Sequence, residues 1–193
     1  MRIFTHTFFT NALPKTLLVT ALPFALATIG CSSGPKFPDA KGVVHDAIKN
    51  AGIKDVGVDQ DRDKGVITLN GHVSSDSDKM QAESIAKANA PGEVIADQIA
   101  VLPPGDESAA KDINSDLDKG IEKNFDAALL QSELRGEAKQ VKYDVKNGVV
   151  TLKGQIDTTA KRTELQTLAA AIPNVRQVVN EVQIRDTPAT TSR

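Results

Sequence analysis

The feature that most constrains this chain is an internal repeat. Gly65-Val66-Ile67-Thr68-Leu69-Asn70-Gly71-His72-Val73 aligns with Gly148-Val149-Val150-Thr151-Leu152-Lys153-Gly154-Gln155-Ile156, and the same offset persists downstream without a gap. It pairs Ala82, Ile85, Ala86 and Asn89 with Leu165, Leu168, Ala169 and Ile172. That i, i+3, i+4, i+7 stripe predicts a helix burying one face, with Asn89 as its polar exception. Further on, Ile95, Ile99 and Val101 pair with Val178, Val182 and Ile184, an alternation that predicts a strand half buried against that helix. Upstream, Val56 and Val58 match Val141 and Tyr143 once a two-residue insertion in the first copy is allowed. A unit that occurs twice has two sets of apolar faces to bury, so the repeat organises the chain before any single motif does.

Each copy reads as helix, strand, hairpin, strand, helix, strand. The leading helices are predicted over Asp39 to Asn50 and Ile113 to Asn124, with Val43, Val44 and Ile48, then Leu117 and Ile121, as apolar positions. Asn147-Gly148 predicts a tight hairpin, because both turn positions need positive φ and these residues tolerate it. Asp63-Lys64-Gly65 serves the first copy with a longer loop. Gly71 and Gly154 predict a bend or a close backbone approach that a Cβ would block. Ser75 with Asp78, and Asp157 to Thr159, supply helix N-caps. With no Trp and one Tyr in 193 residues, the cores must be built from Val, Ile, Leu and Ala.

The two Gly-Val-[Ile/Val]-Thr-Leu-x-Gly segments, each after a charged hairpin and before a capped amphipathic helix leading to a Val/Ile strand, resemble the signature of the BON domain family. The resemblance covers Phe37 to Leu102 and Lys111 to Asp186. It is looser before the last strands, at Pro91-Gly92-Glu93-Val94 and Pro173-Asn174-Val175, and the second copy has an enlarged segment from Phe125 to Gln140. It implies an α+β class: two tandem small αββαβ domains, each a three-stranded mixed sheet packed on two helices. It also implies a cell-envelope protein associated with phospholipid interaction, osmotic-stress protection and outer-membrane integrity, with no catalytic site and no cofactor.

The N-terminus reads as an address. Lys15 precedes the apolar run Thr16 to Ala27, too short to span a bilayer and suited to a secretory signal. The single cysteine, Cys31, follows in Thr28-Ile29-Gly30-Cys31. This tetrad resembles a bacterial lipobox, in which the cysteine sulfur receives diacylglycerol before the signal is cut; Thr28 stands where an aliphatic residue is usual. Ala25-Leu26-Ala27 also satisfies the small-x-small rule of ordinary signal peptidase, whose cut would release an unlipidated protein. The expected organisation is therefore a signal over 1–30, a lipidated tether over 31–37, a first domain over 38–103, a linker over 104–110, a second domain over 111–186 and an unordered tail over 187–193. Such a chain faces the periplasm from its anchor, and Ser32 is compatible with outer-membrane sorting. Losing Arg2 and Lys15 with the signal takes the formal charge from -2 to -4, with 21 basic against 25 acidic residues. An acidic chain without a basic block lacks the footprint of a nucleic-acid binder.

No other pattern carries chemistry. Asp59 to Gly65 fails as a calcium loop, since its glycine is one place late and Asn70 stands where a bidentate Glu is required. His45 and His72 have no zinc-ligand spacing, and no nucleophile elbow or phosphate loop occurs. Two features point to contacts instead. Phe125 and Leu129, in the enlarged segment, are candidates for apolar docking. Lys161 and Arg162, in the less acidic second copy, are candidates for an anionic headgroup. The partners implied are the membrane through the anchor, and either anionic phospholipid or an envelope protein. The two copies are expected to fold separately. We expect labelled fatty acid to enter the precursor and Cys31→Ala to release the protein into the soluble periplasmic fraction. A free thiol at Cys31 after cleavage beyond Ala27 would show the other processing route.

Overall fold

The computed structural model describes residues 36–185; Cys31, the signal and the tail from 186 onward lie outside the described residues. The first copy runs α1 (Lys41–Asn50), β1 (Val56–Asp61), β2 (Val66–Val73), α2 (Asp76–Asn89), β3 (Val94–Asp97) and β4 (Ala100–Val101). The second runs α3 (Glu107–Gln131), a short 3-10 turn (Glu133–Gly136), β5 (Val141–Lys146), β6 (Val149–Ile156), α4 (Thr159–Ala170), β7 (Gln177–Asn180) and β8 (Gln183–Ile184). β1 and β2 form an antiparallel hairpin, and β3 and β4 both lie parallel to β2 in one continuous register. β5 to β8 repeat that arrangement. Each sheet is thus the predicted three-stranded mixed sheet, its third strand interrupted at Gln98-Ile99 and at Glu181-Val182.

Both helices of a copy cover one face of its sheet. Val44, Ile48, Ile67, Leu69, Ala82, Ala86, Ile95 and Ile99 form the first core. Ile121, Phe125, Val150, Leu152, Leu165, Ala169 and Val182 contribute to the second. The caps fall where the sequence puts them: Ser75 accepts from the Asp78 amide, and Thr158 from the Lys161 amide. α1 has no side-chain cap of its own. Gln60 Oε1 supplies it from β1, accepting the amides of Ala40 and Lys41 at 3.0 and 3.3 Å.

α3 departs from expectation. Its 25 residues run from within the 104–110 linker and through half of the enlarged segment, because nothing from Glu107 to Gln131 breaks a helix more strongly than Gly120. The stripe Ile121, Phe125, Leu129 continues the buried face by steps of four. Phe125 is fully buried, its ring edge-on to Tyr143 with centroids 4.8 Å apart, and Leu129 is 5% exposed. These two residues complete their own core and are withdrawn as surface contacts.

The repeated glycines act as predicted. Gly71 has φ +105° and Gly154 φ +121°, and a Cβ at either would overlap a backbone oxygen, that of Asp55 or Gln140. A side chain there is strained by conformation and by contact at once. We expect Gly71→Ala and Gly154→Ala each to destabilise by about 2–4 kcal/mol in urea denaturation. Gly42→Ala, in α1 with open space around it, should be neutral or stabilise by up to about 1 kcal/mol.

Candidate functional site

Strand alternation gives each sheet a second, helix-free face. Val66 precedes core residue Ile67 and therefore points the other way, as do Ala96, Val149 and Val179 relative to their neighbours. These four residues, 1 to 4% exposed, form a third buried cluster made from both copies. The sheets meet there, helices outward. The four fall at two pairs of corresponding repeat positions, so the contact has an approximate two-fold axis, the isologous form of a symmetric dimer.

Polar contacts follow the axis and then break it. Lys64 of the first hairpin reaches Glu181 at 2.7 Å. At the corresponding positions Asn147 Nδ2 donates to the Gln98 carbonyl at 2.8 Å. Asp118 of α3 holds this second hairpin by accepting the amides of Asn147 and Gly148, each at 2.8 Å. Gln177 has no counterpart: its amide donates to Ile95 O at 2.7 Å and accepts from Asp97 N at 3.2 Å, bridging backbone groups on the outer edge of β3. The corresponding residue in the first copy is Val94, 48% exposed.

A second asymmetry lies on the helices. In the first copy Lys79 Nζ stands 3.6 Å from Asp97 and donates to Ile99 O at 2.6 Å. Burial raises the Asp97 carboxyl and lowers the Lys79 ammonium from their ordinary ranges, and their mutual attraction opposes both shifts. In the second copy the corresponding residues are Arg162 and Asn180. Arg162 Nη2 donates to Asn180 O at 3.0 Å, no carboxylate faces the guanidinium among the described residues, and its buried Nε has no partner.

Lys161 is thus already occupied, whereas Arg162 is held by one backbone carbonyl with no carboxylate against it among the described residues. Lys161 Nζ lies 2.7 Å from Glu137 and 3.4 Å from Asp157, and the Glu137 hydrogen bond holds its pKa above the usual lysine value. The Asp157 partner, four residues earlier on the approach to α4, was visible in the sequence; Glu137, from the enlarged segment, was not. What sequence reading missed lies on the first half of α3. Ile113 and Leu117, one turn apart, are 60% and 41% exposed. On another face of the helix, lined by Asn114, Asp118 and Glu122 and not by this pair, an open groove of about 650 Å3 separates α3 from the end of β2, with Leu102 and Val145 among its apolar lining. Lys111 and Lys146 also line it, and neither has an ion pair among the described residues. Among those residues no group of His, Cys, Asp and Glu is arranged to hold a metal, and no helix is long and apolar enough to cross a membrane.

The family model described as the BON domain matches residues 39–103 and 117–186, one match per copy. The chain belongs to the BON domain family. Among curated proteins it is similar to osmotically-inducible protein Y of Escherichia coli strain K12, 28% identical over 143 residues, spanning 74% of this chain and 67% of that protein. Two solved structures of CdsD, a structural protein of the type III secretion system of Chlamydia trachomatis, are matched at 16% and 15% identity with TM-scores of 0.31 and 0.32. They cover 76% and 74% of this chain and 98% and 90% of theirs. The second BON match begins at 117, inside α3, so the exposed first half of that helix precedes the family's own boundary.

Each BON domain has its own core, while the shared cluster is only four side chains. Val149→Asp places an unpaired carboxylate in that cluster. We expect it to separate the domains, so that one cooperative unfolding transition in calorimetry becomes two. A single unchanged transition would show that the domains depend on one another through more than this contact.

Proposed function

We propose that this BON-family chain is a non-enzymatic envelope protein, lipid-anchored through Cys31 and facing the periplasm, that binds phospholipid membrane and supports envelope integrity under osmotic stress. The observation that carries the membrane reading is the exposed apolar pair on the first half of α3. Ile113 and Leu117 offer an apolar stripe for the acyl boundary, and Lys111 and Lys146, which line the groove on another face of the helix, add cations with no ion pair among the described residues. An outward apolar stripe on a helix that also carries charged residues is the composition of an interfacial helix. Asp112 and Asp116 on the same helix limit the electrostatic part, so the stripe contributes more than the charge. The stress role is drawn from the osmotically-inducible relative, and the periplasmic, outer-membrane location from the signal, Cys31 and Ser32.

Liposome flotation of the mature, unlipidated chain tests this. With phosphatidylglycerol vesicles we expect flotation that is lost in Ile113→Asp/Leu117→Asp. It should weaken several-fold in Lys111→Glu/Lys146→Glu, since a basic side chain near an anionic surface contributes ~1 kcal/mol. Lys161→Ala should float like the parent, because Lys161 is neutralised internally. Absence of flotation even at low salt, where attraction is least screened, would sink the membrane reading. A membrane-tethered scaffold for an envelope protein would then stand in its place.

A further inference from the structure

We infer that the outer edge of β7 is a docking site for an extended, acidic peptide segment of a partner protein, added as a further strand beside Val178–Asn180. This goes beyond the membrane reading and does not depend on it. The argument starts from the broken symmetry of the domain contact. In β3, Val94 and Gln98 donate their amides inward, to Gly65 O and Leu69 O, so Ile95 and Asp97 turn their backbone groups outward. Gln177 caps these outward groups from the other domain, its carboxamide bridging Ile95 O and Asp97 N as the peptide group of a neighbouring strand would.

In β7 the same alternation holds. Gln177 and Glu181 donate inward, to Gly148 O and Leu152 O, and Val178 and Asn180 face outward. The residue placed to cap them is Val94, which has no group to do so. Asn180 O accepts from Arg162 Nη2, but among the described residues nothing bonds Val178 O or Asn180 N. An unpaired strand edge is a template for main-chain pairing.

The second asymmetry falls at the same place. Where the first domain sets Asp97 against Lys79, the second has Asn180, leaving the Arg162 guanidinium without a carboxylate and its Nε unpartnered. A groove of about 300 Å3 lies along this edge, with Val94, Val179, Lys36, Asp63, Arg162 and the Lys64–Glu181 pair among its lining. Lys64 is satisfied by Glu181, and Arg162 and Lys36 outnumber the one remaining carboxylate, Asp63. The groove therefore offers main-chain donors and acceptors, an apolar wall and unbalanced positive charge. An extended segment with alternating apolar and acidic side chains matches all three. The missing cap sets the backbone partner, and the missing aspartate sets the charge.

The test uses the mature full-length chain and an acetylated, amidated peptide of about six alternating valines and glutamates, long enough to span a short edge strand. Controls replace glutamate by lysine, or N-methylate the amides that would pair. We expect one acidic peptide bound per chain, with affinity falling about tenfold or more in Val94→Gln, which installs the missing cap at an exposed position, and in Arg162→Gln. Neither control peptide should bind. In the free chain the Asn180 amide should exchange with solvent faster than the Asp97 amide, and peptide should slow it. The proposal is overturned by equal protection of the two amides in the free chain, by equal binding of the N-methylated peptide, by unchanged binding in Val94→Gln, or by no binding at millimolar acidic peptide. Self-association in sedimentation that Val94→Gln abolishes would make the occupant a second copy and equally overturn the partner reading.

Discussion

Val66, Ala96, Val149 and Val179 turn two small domains into one body. A sheet with helices on one face still has another face to account for, and in a small domain that face is normally left to water. Here each sheet covers part of the other's. The cluster is small against either domain core, so it adds orientation more than stability. Its consequence is geometric: it brings the first hairpin to Glu181, the second hairpin to Gln98, and Gln177 to the edge of β3. Every asymmetry between the two copies acquires meaning only because this contact sets corresponding residues opposite one another.

Much of the fold was legible because it rests on local signals. The Asn-Gly hairpin, the Ser75 and Thr158 caps, the crowded glycines and the helix stripes all act within a few residues of themselves. The domain contact also left a trace. Val66-Ile67 and Val149-Val150 put apolar residues at adjacent positions in strands that otherwise alternate, which happens when both faces of a strand begin buried. Periodicity explained Ile67 and Val150, and the residue before each passed as ordinary strand composition. α3 was read too short because only Leu117 and Ile121 marked its apolar face, although a helix can begin as soon as Pro104 is passed.

The candidate contacts fared differently because they depend on partners far away in sequence. Phe125 and Leu129 looked exposed only while the leading helix was taken to end at Asn124; as a continuation of that helix, they fall on the same face as Ile121. Lys161 looked free until the enlarged segment delivered Glu137 to it. Gln177 gave no sign at all, since a glutamine in a strand is unremarkable until a foreign strand edge lies within reach of its amide. Pattern reading finds what a residue does to its neighbours in the chain. It does not find what the fold carries to it.

The interrupted third strands set a limit on how far any edge of this protein can be used. Ile99 and Val182, at the breaks, turn into the cores and are almost wholly buried, which leaves four paired residues on one side and two on the other. A run so short can seat one brief segment, yet it offers no straight ladder on which copy after copy could stack. An unpaired strand edge invites pairing with other copies of the same chain. Breaking each edge strand at the point where a core side chain is needed lets the fold keep an unpaired edge without growing into fibres.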